Sequence, residues 1–177
     1  NDDKGVFYKK NSNKEFFAKD STYQLYYHKI GDIQSKDQLV FDTSNTKSNF
    51  SFFTKQNKLF IVETSEDETT KNYYYSTIEN ESFQFKNFIK DDKSNLELLN
   101  IINDKFYFSD EKYSWGNISY FDINNRTENT ILIPQVYSHL LVGATFLENY
   151  IICKYDNMGK YYMSIHDYTG KFIRKFE

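Results

Sequence analysis

The sequence predicts an all-β chain, an incomplete β-propeller of about four blades with four antiparallel strands in each. Three observations predict it. Short apolar runs of four to eight residues, divided by clusters of Asn, Asp, Ser, Thr, Lys and Gly, fill the chain, and no segment sustains a helical period. The runs recur about every 45 residues, which is the length of a propeller blade. Large aromatics dominate the apolar residues, with 17 Phe and 16 Tyr against two Ala, and such side chains suit pleated strands more than helices.

The most regular members of the repeat are 24–30 (QLYYHKI), 72–78 (NYYYSTI), 117–123 (NISYFDI) and 161–167 (YYMSIHD), which begin 48, 45 and 44 residues apart. Each is preceded by a run of its own: 5–9 (GVFYK), 58–64 (KLFIVET), 105–110 (KFYFSD) and 149–155 (NYIICKY). Each is followed by another, at 38–41, 83–89, 130–133 and 171–176, and three sets open with an earlier run, at 49–53, 96–102 and 139–144. The expected organisation is therefore a blade remnant at 1–42, holding the last three strands, and blades at about 47–90, 95–134 and 138–177.

Leu59, Phe60, Ile61 and Val62 are apolar at consecutive positions, so both faces of that sheet must be covered. Stacked blades cover both faces, whereas a two-sheet sandwich leaves one face wet and shows cleaner alternation. Fewer than four complete repeats are too few to close a ring, and an open arc presents unpaired strands at its ends. The polypeptide is thus expected to continue in both directions, and the isolated chain to self-associate through its open edges.

With 177 residues and 21.2 kDa the chain has the size of one domain, long enough to bury roughly 70% of its unfolded surface. A net charge of −3 with interspersed signs offers no basic face for nucleic acid and no polybasic anchor for a membrane. No apolar stretch approaches the roughly 18 residues of a membrane span, and no signal-like segment is visible. The single cysteine, Cys153, sits in an apolar run and reads as a small buried hydrophobe. The chain reads as soluble, cytoplasmic ahead of periplasmic or secreted.

Motifs for chemistry are sparse. No Gly-x-Ser-x-Gly elbow occurs, so a hydrolase nucleophile is lacking and the chain is expected to be inactive alone. His28, His139 and His166 lie on or beside predicted strands without ligand spacing and read as structural, so neither metal nor cofactor is implied. The acidic clusters at 63–68 and 91–92 are placed in solvated loops, and the Asn-x-Ser/Thr sequons at Asn49, Asn80, Asn117 and Asn125 are expected by chance in so Asn-rich a chain.

The segment Leu25-Tyr26-Tyr27-His28-Lys29-Ile30-Gly31, continued by Gln34-Ser35-Lys36-Asp37-Gln38-Leu39-Val40-Phe41, resembles the propeller motif of the prolyl oligopeptidase family. There a YYH-like strand leads through a Gly and a Gln-Ser-x-Asp turn into an apolar strand, and the chain departs from it at Asp32-Ile33. Residues 5–9 and 151–174 resemble the family's preceding strand and a late blade. The Gln34-Ser35 pair is closer to the prolyl type than to the oligopeptidase B type, which cuts after basic residues.

The resemblance implies a seven-bladed propeller joined to an α/β-hydrolase domain of the same polypeptide. That domain carries the Ser, Asp and His triad of a serine-type prolyl endopeptidase, and the propeller restricts access to short peptide substrates. Loops between second and third strands face the hydrolase domain in the family, and here they are 10–23, 65–71, 110–116 and 155–160. They supply the candidate substrate-access or domain-interface residues Phe16, Phe17, Ser65, Glu66, Glu68 and Trp115. The competing reading is a stand-alone propeller that binds a protein or glycan partner through aromatic loops.

Overall fold

The computed structural model describes residues 4–11, 22–79, 82–94, 96–126 and 128–177. Its strands form four antiparallel sheets. The first holds β1 (Gly5–Asn11), β2 (Tyr23–Lys29) and β3 (Gln38–Asp42), and the second β4 (Asn49–Lys55), β5 (Lys58–Thr64), β6 (Lys71–Thr77) and β7 (Lys86–Asp92). The third holds β8 (Glu97–Ile102), β9 (Lys105–Ser109), β10 (Ile118–Asp122) and β11 (Thr130–Ile133), and the fourth β12 (Leu140–Phe146), β13 (Ile151–Asn157), β14 (Lys160–His166) and β15 (Phe172–Phe176). In each sheet sequence neighbours are sheet neighbours, so the chain meanders. Such meanders are the blades of a β-propeller, and the architecture is the all-β, partial propeller that the repeat predicts.

Turn chemistry sets the hairpin registers. Gln56 and Asn57, Asn103 and Asp104, and Met158 and Gly159 occupy the two-residue turns β4–β5, β8–β9 and β13–β14, all with positive φ between 48° and 83°. Two consecutive positive φ values make type I′ turns, whose twist matches that of paired strands.

The sheets group into two compact units, Asn1–Lys93 and Ser94–Glu177. In the first, β2 contributes Leu25 and the second sheet contributes Phe50, Leu59 and Ile61 to one core, flanked by Phe7, Val40, Phe41 and Tyr74. Lys9 crosses between the two sheets: its Nζ donates to the Asn49 Oδ1 at 2.6 Å and to the Phe50 carbonyl at 2.7 Å, and it lies 3.9 Å from the centroid of the Tyr23 ring. Burial lowers the Lys9 pKa, because the ammonium gives up water for these partners. On the opposite face of the second sheet, Phe60, Tyr73 and Tyr75 are also buried. Consecutive apolar residues in β5 therefore serve two faces.

The second unit repeats the arrangement. Tyr107, Ile118, Leu132 and Ile133 of the third sheet pack against Ile151, Cys153 and Tyr155 of the fourth. Burial pushes the Cys153 thiol up to about 12, so it acts as the small hydrophobe its sequence context predicts. Gly170 sits at φ 84° against the Leu132 carbonyl oxygen, where a Cβ has no room.

Strand β7 begins three residues later than the run 83–89 predicts. Phe83 and Phe85 precede the strand and are spent on packing: Phe83 meets Phe7 at 5.5 Å and Tyr27 at 5.7 Å, and Phe85 meets Phe41 at 5.5 Å. The Gln84 amide donates to the Ser76 hydroxyl instead of to a strand partner.

The segment that carries the family resemblance has a direct physical reading. Along β2, Leu25 and Tyr27 point into the core, while Tyr26 and His28 lie on the other face. There Tyr26 stacks on Tyr8 at 5.6 Å, and the Tyr8 hydroxyl donates to the Asp37 Oδ2 at 2.5 Å. His28 Nδ1 donates to the Asp37 Oδ1 at 2.6 Å. Gly31 takes φ 95° in the turn, and the single 3-10 turn Gln34–Lys36 brings Asp37 back over the sheet. Asp37 thus ties the β2–β3 connection to β1 and β2.

Two outcomes follow for stability. The hydrogen bond from Tyr8 first, and then that from His28, holds the Asp37 carboxyl below the usual carboxylate range. Its contribution is complete above the unfolded value of about 3.9 and is lost as pH falls through the lower folded value. Urea titrations between about pH 6 and pH 3 are expected to show an acid-side loss of stability that Asp37→Asn flattens. At neutral pH, Ile118→Ala, fully buried in the wild type, is expected to cost about 2–5 kcal/mol, and Leu140→Ala, half-exposed, less than about 1 kcal/mol.

Candidate functional site

Strands in a meander alternate direction. The loop between the second and third strands of a blade therefore shares its end with the segment that leads into the next blade. In the first unit that end holds the β5–β6 turn and the 43–48 segment; in the second it holds the β9–β10 loop, the 134–139 segment and the β13–β14 turn. These are the surfaces on which the sequence places its candidate residues. Phe16 and Phe17 lie outside the described residues.

In the β5–β6 turn, the Ser65 hydroxyl donates to the Asp67 Oδ1 at 2.6 Å and accepts from the Thr70 amide at 3.0 Å. Asp67 also accepts from the Thr69 amide and hydroxyl, and this set, led by Ser65, keeps its carboxyl below the usual range. Ser65 is thus the pin of the turn, while Glu66 and Glu68 project as exposed carboxylates, with Glu68 at φ 58°. The hydrogen-bonded turn presents negative charge.

One member of the acidic cluster 63–68 corrects the expectation of a solvated loop. Glu63 lies inside β5 and is only 8% exposed. Its carboxylate accepts hydrogen bonds from Ser48 at 2.5 Å, Thr46 at 3.2 Å and Tyr74 at 2.8 Å. Hydroxyls from the 43–48 segment therefore anchor that segment to β5. The sequence gives no hint of this, because Ser and Thr in a connection read as solvated turn residues. Asp91 and Asp92 likewise end strand β7 and are not in a loop.

In the second unit, the Asp110–Gly116 loop is built from within. The Asp110 amide donates to the Asn117 Oδ1 at 3.1 Å, and the Asn117 Nδ2 donates to the Ser119 hydroxyl at 2.6 Å. Asn117 is 1% exposed, so this sequon is closed to glycosylation by burial. Lys112 pairs with Asp110 at 2.9 Å, and Gly116, at φ 77°, approaches Leu141 so closely that a Cβ there would meet the Leu141 Cβ at 2.8 Å.

Trp115 is half-buried, and its carbonyl accepts from the Leu141 amide at 2.8 Å. Its ring meets Tyr137 edge-on at 5.8 Å. Tyr137 itself is 83% exposed and Met158, at the tip of the β13–β14 turn, 91% exposed. Sequence reasoning singled out Trp115 but not these two. The missed signal was that Tyr137 and Met158 fall outside every apolar run, where a large apolar side chain has no core to enter.

His139 and His166 hold hydrogen bonds to Tyr162 at 2.6 Å and to Ser164 at 2.9 Å. Among the described residues no helix is long and apolar enough to cross a membrane.

The family model for the prolyl oligopeptidase N-terminal β-propeller domain matches residues 1–177. No curated protein matches the chain. Among solved structures it is similar to prolyl oligopeptidase B from Galerina marginata bound to a 25mer macrocyclization substrate, with TM-score 0.78 and 14% identity over 97% of this chain and 26% of that one. It is also similar to one of two prolyl endopeptidases studied for the role of inter-domain dynamics in catalysis and specificity, with TM-score 0.78 and 17% identity over 99% of this chain and 27% of that one. The apo form of the Galerina protein gives TM-score 0.77 at 13% identity over 98% of this chain and 25% of that one. The chain thus spans about a quarter of the length of the solved proteins it matches. With the match covering every residue, the chain belongs to the prolyl oligopeptidase N-terminal β-propeller domain family.

Proposed function

We propose that this chain is a propeller segment of a serine-type prolyl endopeptidase, and that the propeller restricts access to the α/β-hydrolase domain of the same polypeptide. The family match over residues 1–177 carries the reading. In this reading the blades fall at about 47–90, 95–134 and 138–177 after a remnant at 1–42, and the catalytic triad lies in the hydrolase domain. Selection is steric: short proline-containing peptides reach the triad past the loops, and large folded substrates do not.

The loop ends are the surfaces that meet peptide or hydrolase domain. The exposed carboxylates Glu66 and Glu68, held by the Ser65 turn, suit a cationic or amide-rich partner surface. The Trp115–Tyr137 pair and Met158 offer apolar contact area, the usual composition of an interface centre. Phe16 and Phe17, outside the described residues, are further access candidates in this reading. In the isolated chain each sheet has two edge strands, β1 and β3 in the first and β12 and β15 in the fourth, and open edges promote self-association.

Two measurements test the reading. Proline-containing peptides of increasing length, offered to the whole enzyme, are expected to show a steep fall in kcat/KM beyond a limiting size; equal rates on short peptides and on folded proteins would remove the gating role. In the same enzyme, Trp115→Ala and the pair Glu66→Ala, Glu68→Ala are expected to change KM or the length limit with urea midpoints within about 1 kcal/mol of wild type. Unchanged kinetics in both variants would remove these loops from the access surface.

A further inference from the structure

The face of β14 that carries Tyr162, Ser164 and His166 lines an open cavity of about 300 Å3 together with the end of β11 and the segment after it. Its volume exceeds the roughly 150 Å3 that is enough to hold a benzene ring. Every lining residue falls between 133 and 175, within one compact unit.

The polar groups on its floor are already matched to each other. The Gly170 carbonyl only accepts, so its 3.3 Å contact with His166 Nδ1 puts the imidazole proton on that nitrogen. His166 Nε2 then accepts from the Ser164 hydroxyl at 2.9 Å, and both side chains are buried. The Ser164 and His166 donors are thus taken up within the floor, which favours a molecule that presents apolar surface to it. Ile133, Pro134 and Val136 supply apolar lining, and so does Phe172, whose ring meets that of His166 edge-on at 5.7 Å.

The mouth has a different character. Tyr162 is stacked on Tyr155 at 5.2 Å and fixed by His139, whose ring meets it edge-on at 5.4 Å, so an aromatic face is held in place. Lys175 Nζ lies 4.4 Å from the centroid of that ring. No acidic side chain is among the described residues that line the cavity. The Lys175 ammonium does pair with Glu177 at 2.7 Å, but that carboxylate is 81% exposed, and an exposed pair of this kind is exchanged at little cost.

We propose that this cavity binds a small aromatic carboxylate, with the ring on the apolar floor beside Tyr162 and the carboxylate on Lys175. The site borders the access end through Pro134, Val136 and His139 of the 134–139 segment, but uses side chains other than Trp115, Tyr137 and Met158. It requires both the apolar floor and the single cation, and each can be removed separately.

Phenylacetate, uncharged phenylacetamide and cationic phenethylamine are the probes, titrated into the whole polypeptide, deuterated so that its amide resonances can be followed by TROSY NMR. Phenylacetate is expected to give saturable shifts confined to the cavity residues, and to bind about fivefold more tightly than phenylacetamide. Lys175→Met, which keeps the aliphatic stem, is expected to abolish that preference while leaving phenylacetamide binding unchanged. Val136→Trp, which fills the mouth from a partly exposed position, is expected to abolish binding of both with the amide spectrum otherwise retained. Equal affinity for the three probes, a preference that survives Lys175→Met, or shifts that never saturate would overturn the proposal.

Discussion

Burial on two faces is the constraint on which the rest of this structure depends. A three- or four-stranded sheet is too thin to bury anything by itself, so each apolar face must find a neighbouring sheet. In β5, Leu59 and Ile61 enter the core shared with the first sheet, while Phe60 between them is buried on the opposite face. In β9, Tyr107 faces the fourth sheet while Phe106 and Phe108 are buried on the other side. Aromatic rings make this feasible with few residues per strand, since each ring covers far more surface than an aliphatic side chain. Strands committed in this way leave chemistry and recognition to the loops.

The repeat made the sheets legible. Strands bounded by Asn, Asp and Gly turns appear as the spacing predicts, and the YYH-Gly-Gln-Ser-x-Asp segment turned out to be a structural unit in its own right. Its alternate residues divide between the core and the Asp37 cluster with Tyr8 and His28. What the sequence concealed depended on contacts distant along the chain. Phe83 and Phe85 look like strand residues but leave the ladder to pack on Phe7, Tyr27 and Phe41. Glu63 looks like a surface charge but is enclosed by hydroxyls 11 to 17 residues away.

The candidate loops show a similar division. Their internal hydrogen bonds are local, so Ser65 with Asp67 or Asp110 with Asn117 are the side-chain turns that Ser, Asp and Asn form in connections. Their outward faces differ between the units. One carries Glu66 and Glu68 on a pinned turn, and the other carries Trp115, Tyr137 and Met158. A sequence reading finds the tryptophan because it is unique, and overlooks Tyr137 because tyrosine is common throughout the chain. A rigid loop with an exposed aromatic or charge is what a surface needs to contact a partner without losing much conformational freedom.

The central claim is that this fold serves a prolyl oligopeptidase, and the native polypeptide tests it most directly. Its intact mass and reading frame, taken from the source, are expected to show a product several times heavier than 21.2 kDa. Downstream of the propeller it should carry a Gly-x-Ser-x-Gly elbow followed by the Asp and His of a hydrolase triad. A native product that ends near Glu177, with no hydrolase domain, would contradict the claim and leave a propeller that acts by binding alone.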